Sequence, residues 1–199
     1  MRLRTAAATF VATLAAALVA AGTFAPTPAA AKGEGWKVDL NHSFVWFKIR
    51  HMDVCSAYGR FDDFSGTVML DGEKPAASSV ELSIKTESVD TGNAGRDKHL
   101  KNPDFFNAAQ FPTITFKSTA VKMTDDTHFA VTGDLTMHGV TKAISVLLAK
   151  SGPVDGREGP VIGIEGTFSV KRSEWGMMKP IGAGSDEVQV TIAIEAAKQ

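Results

Sequence analysis

Apolar side chains recur at nearly every second position from Trp36 to Ala196, the spacing that places them on one face of a β-strand. In one run, Val45, Phe47 and Ile49 are separated by charged or aromatic residues. The pattern predicts eight strands, at residues 45–50, 64–70, 80–85, 114–123, 129–137, 144–148, 161–171 and 188–196. The chain is therefore predicted to be all-β.

Eight strands in sequence favour an antiparallel up-and-down, lipocalin-like barrel. Short links such as His138-Gly139 predict hairpins between successive strands. Pairing the first strand with the last removes the exposed edges of the sheet. The segment from Thr91 to Pro112 lacks the alternation and predicts a short helical insertion of one or two helices. Such an insertion would either plug one end of the barrel or cover it as a lid.

The first 31 residues have the features of a secretory signal peptide. Arg2 and Arg4 precede an Ala-rich apolar run, and Ala29-Ala30-Ala31 resembles a cleavage site. We expect cleavage before Lys32, export to the periplasm or the medium, and one soluble domain at residues 32–199. The alternative, an uncleaved membrane anchor, is disfavoured by the prolines that follow the apolar run.

Composition narrows the class of protein further. The chain is 44% hydrophobic and 22% charged, which is typical of a globular protein rather than a disordered one. Its formal net charge of −1 argues against nucleic acid as a partner. Cys55 is the single cysteine, so the domain must be held together by packing and not by internal disulfides.

Five blocks of sequence stand out within this domain. In order, they are VDLNHSFVWFKIRHM, YGRFDDFSGTV, SVDTGNAGRDKHLKNPDFFNAAQFPTITFKST, VTGDLTMHGVTK and FSVKRSEWGM. Together they resemble the YceI-like, polyisoprenoid-binding family from about Trp36 to Ala196. The resemblance implies an extended lipocalin-like barrel, often dimeric and exported to the periplasm, that holds a long isoprenoid or similar amphiphile in its apolar interior. A homodimer and transient contact with a membrane are further expectations about partners.

The inward faces of the strands supply the predicted ligand-binding walls. The wall residues are Phe47, Ile49, Leu82, Ile84, Ile114, Phe116, Leu135, Val146, Phe168 and Ile192. The alternative for each is an ordinary packed core, because periodicity does not distinguish a filled barrel from a hollow one. Large rings beside the turns and the insertion would narrow an entrance or pack the lid: Phe61, Phe64, Phe105, Phe106 and Trp175.

Polar candidates cluster in the helical insertion. Arg96, Asp97 and His99 are predicted at the mouth of the barrel, where the forked donors of Arg96 suit a phosphate or a quinone oxygen. Alternatively, Arg96 and Asp97 pair with each other and fix the helix to the rim. Arg172, at the end of the seventh predicted strand, carries the same two interpretations.

Two rival functions remain open from the sequence. His51, Met52 and Cys55 lie close together and would suit copper or haem iron in a redox partner, but CxxC and CxxCH motifs are absent. An enzyme acting on the bound lipid is the second rival, and the GxSxG and HExxH motifs are absent. We therefore expect a carrier without catalytic residues, metal or required cofactor, whose ligand is the isoprenoid lipid.

Overall fold

The computed structural model describes residues 33–179 and 186–199. Within these ranges the chain forms eleven strands and one α-helix, with four short 3-10 turns between them. The strands are β1 (Glu34–Val38), β2 (Phe44–His51), β3 (Cys55–Phe61), β4 (Phe64–Leu70), β5 (Ser79–Lys85), β6 (Val89–Asp90), β7 (Thr113–Met123), β8 (His128–Met137), β9 (Val140–Gly156), β10 (Gly159–Lys171) and β11 (Glu187–Lys198). The helix is α1 (Ala94–Leu100).

The eleven strands occupy eight positions around a closed antiparallel barrel. The pairs β1 and β2, β3 and β4, and β5 and β6 are each one bent strand, because β1 pairs with β4, β2 with β3, and β3 with β6. From β5 the order continues through β7, β8, β9, β10 and β11, and β11 pairs with both β1 and β2. Apart from this closing contact between the last and the first position, each position neighbours the one that precedes or follows it along the chain. The predicted eight-stranded up-and-down barrel is therefore confirmed.

The bend between β1 and β2 is held by polar contacts with β11. A 3-10 turn at Leu40–His42 interrupts the strand, and the Asp39 carboxylate accepts a hydrogen bond from the Asn41 N–H at 2.9 Å. The buried Ser43 hydroxyl donates to the Glu195 carbonyl at 3.2 Å and accepts from the Glu195 N–H at 3.0 Å. These bonds bridge the gap between the two pairings of β11, so the barrel stays closed across the bend.

The eight predicted runs each fall at a different position around the barrel, but their bounds differ from the structure. The predicted strand at residues 144–148 lies within a much longer β9. The strand β3 was not predicted, because its sequence CSAYGRF has no regular apolar alternation. The predicted helical insertion contains the single helix α1, followed by turns that bury Phe105 and Ala108.

The two ends of the barrel differ. Trp36, Ile162 and Ala196 are almost fully buried and fill the end near β1. The end at the β2–β3 turn and α1 surrounds an internal cavity. The predicted signal peptide lies outside the described residues. Among the described residues, none of the helices has the length and apolar character needed to cross a bilayer.

Candidate functional site: an apolar cavity with a polar mouth

The barrel encloses a cavity of about 790 Å³. This volume lies within the roughly 300–1,000 Å³ of pockets that hold small molecules and cofactors. Its walls are mostly apolar and come from strands all around the barrel. The apolar wall residues include Val45, Phe47, Ile49, Leu82, Ile84, Ile114, Phe116, Leu135, Ile144, Val146, Ile164, Phe168, Val190 and Ile192.

The alternation of the strands explains how these side chains meet. Leu82 on β5 is directly opposite Phe116 on β7, and Phe116 is opposite Leu135 on β8. On the far wall, Phe47 of β2 is opposite Val190 of β11. Because residues paired across antiparallel strands point to the same side, each match in register places two apolar side chains in the interior.

Thirteen of the fifteen predicted site residues line the cavity. All ten predicted wall residues do so, together with Arg96, His99 and Arg172. Asp97 and Trp175 are the two that do not. Contact of the thirteen with a ligand stays a prediction.

Three aromatic rings narrow the space between β2, β3 and the insertion. The ring centroid of Phe61 lies 5.7 Å from that of Phe47 and 5.5 Å from that of Phe106. All three rings line the cavity, as does Phe105, whereas Phe64 is buried away from it. Because Phe106 belongs to the insertion, the insertion covers this end of the cavity and also forms part of its aromatic wall.

The N-terminal part of the insertion fixes Arg96 at the mouth. Asn93 caps α1 by accepting the Arg96 N–H at 3.0 Å. The Arg96 guanidinium donates to the Thr91 hydroxyl and to the Thr91 carbonyl, both at 2.7 Å. Asp97 accepts the Thr91 N–H at 2.9 Å and also the Thr91 hydroxyl. Arg96 and Asp97 are thus joined through Thr91 and not by the direct pair that the sequence suggested, and Asp97 is turned away from the cavity.

A second polar contact crosses the mouth from the insertion to the segment after β10. The Asp104 carboxylate contacts the Lys179 ammonium, and the Nε2 atom of His99 lies 3.4 Å from the same carboxylate oxygen. The hydrogen bond from Lys179 lowers the pKa of Asp104, and His99 adds to the effect. Both Lys179 and His99 line the cavity, so positively charged or ionisable groups face its opening.

Arg172 is buried and begins the 3-10 turn (Arg172–Trp175) that follows β10. It is 7% exposed and donates to the Met177 carbonyl. Burial lowers the pKa of Arg172, while the negative charge of Asp186 opposes that change. Because Arg172 lines the cavity, it places a guanidinium against an otherwise apolar wall.

Trp175 is an anchor in the core and not part of the cavity wall. It is 1% exposed, and its indole N–H donates to the Leu135 carbonyl at 3.2 Å. The His138 ring donates from Nδ1 to the Trp175 carbonyl at 2.9 Å. These bonds tie the 3-10 turn after β10 to the β8–β9 hairpin. The sequence indicated a large ring near a turn, but periodicity does not show on which side of the wall it packs.

Several residues of the cavity wall were not predicted. Ser56, Ala57 and Tyr58 belong to β3, the strand that the apolar pattern did not reveal. Met177 and Lys179 follow the 3-10 turn and have no strand periodicity. The available signal for β3 was the turn-forming aspartates on either side of it, Asp53 before the strand and Asp62 and Asp63 after it.

The described residues contain one group of three potential metal ligands: Asp39, His42 and Glu195. It lies at the bend between β1 and β2, apart from the cavity. His42 Nδ1 is 2.7 Å from the Asp39 carboxylate, and this bond raises the pKa of His42. His51 and Cys55 line the mouth and are register partners at the end of the β2–β3 pairing.

Comparison with known sequences agrees with this architecture. The YceI-like domain model matches residues 36–196. A UPF0312 protein of Azotobacter vinelandii is 41% identical over 161 residues, covering 79% of this chain and 83% of the relative. Protein YceI of Escherichia coli O157:H7 is 40% identical over 167 residues, covering 82% of this chain and 87% of the relative.

Solved structures share the barrel. Burkholderia cenocepacia BcnA superposes with a TM-score of 0.73 and 27% identity, covering 80% of this chain and 99% of BcnA. A polyisoprenoid binding domain from Saccharophagus degradans, implicated in plant cell wall breakdown, has a TM-score of 0.67 and 19% identity, covering 82% of this chain and 98% of that domain. At that identity the second match demonstrates a common fold.

Proposed function

This chain belongs to the YceI-like domain family, and on that premise we propose that it is an exported carrier that holds a long-chain isoprenoid, such as a quinone or polyprenyl lipid, inside its barrel. The cavity of about 790 Å³ with apolar walls is the observation that carries the proposal. The similar fold of the polyisoprenoid binding domain from Saccharophagus degradans supports the ligand class.

The binding energy in this proposal comes from removing the lipid tail from water. Each buried methylene is worth about 0.8 kcal/mol, so a five-carbon isoprene unit contributes roughly 4 kcal/mol before the cost of ordering it. The paired wall residues Leu82 and Phe116, with Phe47 opposite Val190, provide apolar surface on both sides of such a tail. The tail needs no specific polar partner, so shape and length set the preference.

The head group is proposed to lie at the polar mouth. Arg96 is held by Thr91 through Nε and one terminal nitrogen, which orients its guanidinium beside the cavity. His99 and Lys179 line the same opening. A phosphate or a quinone oxygen there would accept hydrogen bonds from these groups. The protein is proposed to bind the lipid without converting it, because the proposed role requires only burial and orientation.

Export and release complete the proposal. Residues 1–31 would direct the chain to the periplasm or the medium and then be removed. Loading and release would require contact with a membrane and displacement of the insertion, whose aromatic ring Phe106 packs against Phe61. Mass spectrometry of the exported protein tests export and cleavage. A mature chain that begins at Lys32 is expected, and retention of Met1 would contradict cleavage.

The direct test is organic extraction and mass spectrometry of protein purified without detergent. A stoichiometric long-chain isoprenoid is expected in the extract. Protein that is repeatedly empty and binds no added geranylgeraniol would contradict the proposal.

Variants of the wall make the test specific. Leu82→Asp with Phe116→Asp should abolish lipid binding, because unpaired charges would be buried in the cavity. Ser83→Asp with Thr115→Asp is the matched control, since these residues are paired on the same strands at outward-facing positions. Leu82→Trp is a second variant that fills the cavity without a charge. Folded Leu82→Trp protein that keeps full capacity for geranylgeraniol would contradict the assignment of this wall.

A further inference from the structure

Three strongly exposed apolar side chains are placed on segments that border the cavity mouth. Val54 is 78% exposed, Met178 is 68% exposed and Met52 is 60% exposed. His51 and Cys55, at the two ends of the β2–β3 turn, line the cavity, and so do Met177 and Lys179 on either side of Met178. Apolar groups are thus presented to solvent around the opening of an apolar cavity.

The β2–β3 turn is built so that these side chains project. Met52 and Asp53 have left-handed backbone conformations, with φ values of 50° and 55°, which residues other than glycine adopt rarely. The Val54 N–H donates to the His51 carbonyl at 3.1 Å, and the Arg50 guanidinium donates to the Asp53 carbonyl. These hydrogen bonds to backbone carbonyls hold the turn in place, while the side chains of Met52 and Val54 remain outside the core.

Positive charges accompany the apolar side chains. Arg50 lies at the end of β2 next to the turn, Arg96 and Lys98 belong to α1, and Lys179 follows Met178. The acidic residues on the same segments are Asp53 in the turn, Asp97 in α1 and Asp104, which pairs with Lys179 and His99. The basic side chains exceed them by one. Apolar residues flanked by Arg and Lys are the composition of surfaces that insert at the boundary between phospholipid head groups and acyl chains.

We propose that this rim, formed by residues 50–54 and 178–179, docks on the surface of a bilayer that contains anionic phospholipid, with Met52, Val54 and Met178 inserted. The rim surrounds an opening and is not a continuous face. A fluid bilayer can adapt to such a surface more easily than a folded protein partner can. Docking brings the cavity mouth to the acyl region, so a lipid tail passes between bilayer and cavity without crossing water. The role of docking in lipid transfer rests on the proposed carrier function. Binding of the protein to vesicles can be measured without a lipid in the cavity.

The test is co-sedimentation with vesicles of phosphatidylcholine that contain phosphatidylglycerol, compared with phosphatidylcholine alone. Wild-type protein is expected to bind the anionic vesicles more tightly. Met52→Glu with Val54→Glu should weaken binding by about tenfold or more, because two inserted apolar groups become charged. Val154→Glu is the control. Val154 is 62% exposed but lies on β9, where it pairs with Val161 at the end of β10 that is far from the mouth. At about 3.3 Å per residue, that position is roughly 30 Å from the mouth.

Three outcomes would overturn the docking proposal: no binding by wild-type protein, equal binding by the double variant, or equal loss in the Val154 control. A rim that instead joined two copies of the chain would make the double variant monomeric while neither form bound vesicles. Retention of geranylgeraniol in solution is measured separately on the same variants. Wild-type protein that binds geranylgeraniol but not vesicles overturns this inference alone, and wild-type protein that binds vesicles but takes up no geranylgeraniol overturns the carrier function alone.

Discussion

The ring of Phe47 lies against the inner surface of Gly59, its direct partner across β2 and β3. A Cβ atom added at Gly59 would lie 2.3 Å from Cζ of Phe47 and 2.8 Å from both Cε atoms. The ring can lie along the wall only because the opposite residue has no side chain. The ring of Phe116 likewise covers Gly133, although Gly133 is paired with Ser118 and not with Phe116. Two cavity-lining rings thus leave room in the barrel by covering glycines.

Gly59→Ala should reduce the space available to a ligand. The added methyl group forces the Phe47 ring away from the wall, and overpacking of this kind costs about 1–3 kcal/mol. We expect a lower free energy of unfolding and a larger loss of affinity for geranylgeraniol than for the shorter geraniol. Titration with both prenols, together with denaturant unfolding, measures the two effects.

Gly72→Ala is the matched control for this variant. No atom lies within 4 Å of a Cβ added there, and its backbone is not left-handed. It should leave both stability and chain-length preference close to those of wild-type protein. A Gly59→Ala protein with unchanged preference would mean that the position of the Phe47 ring does not limit the ligand.

The sequence predicted the barrel because its apolar period is local and nearly unbroken. Leu82, Phe116 and Leu135 each lie on the apolar side of their own strand, and closure of eight strands brings them together. The strand β3 was missed because its inward positions include Gly59, where the partner ring of Phe47 supplies the apolar surface instead. The apolar surface at this point of β3 comes from a residue of the neighbouring strand. The residue pattern within β3 does not show such a contact between strands.

Polar residues of the mouth were less predictable than the walls. Arg96 and Asp97 are adjacent in sequence, yet each bonds to Thr91, and only Arg96 lines the cavity. Lys179 reaches Asp104 from a distant part of the chain. Long side chains in irregular segments are placed by such contacts and not by a repeat, so their direction depends on the folded structure.

Arg96→Gln should weaken binding of a prenyl phosphate more than binding of a prenol. Arg96 lines the mouth, so its loss would remove a charge-assisted hydrogen bond to a phosphate bound there as proposed. We expect the affinity for geranylgeranyl phosphate to fall by about tenfold, which corresponds to roughly 1.4 kcal/mol. Binding of geranylgeraniol should change less, because the tail contacts are retained. Fluorescence displacement with the two ligands provides the comparison.

Lys98→Gln removes a positive charge from the same helix without altering the cavity wall. Lys98 is exposed and does not line the cavity. Its variant should bind the two ligands in solution like wild-type protein. Equal losses in both variants would indicate a general electrostatic effect and argue against a head-group contact by Arg96.

Trp175→Phe should lower stability without changing the ligand preference. The variant loses the indole hydrogen bond to the Leu135 carbonyl and leaves a small void at a site that is 1% exposed. We expect a decrease of about 1–3 kcal/mol in the free energy of unfolding. Denaturant unfolding measures this loss, and prenol titration of the folded variant measures binding. A folded variant with normal stability but no binding would indicate that Trp175 contacts the ligand after all.

Asp186 provides a pH-dependent contribution to stability at the junction of β10 and β11. Its carboxylate accepts the Ser173 N–H at 2.9 Å and the Ser173 hydroxyl at 2.8 Å, and these bonds lower the pKa of Asp186. Asp126→Asn is a suitable control for its removal, because Asp126 is exposed and has no hydrogen bond or ion pair among the described residues.

Asp186→Asn should lower the melting temperature at neutral pH by an amount equivalent to at most about 1 kcal/mol, since solvent screens this carboxylate. The pKa of Asp186 is lower in the folded protein than in the unfolded chain, where it is about 3.9. Its stabilisation is therefore fully present well above pH 4 and is lost as the pH falls through the lower, folded-state pKa. The gap between wild-type and variant melting temperatures should thus be constant from about pH 7 to pH 5 and narrow below about pH 4. A gap that stays constant or widens on acidification would show that Ser173 does not hold Asp186 in its charged form.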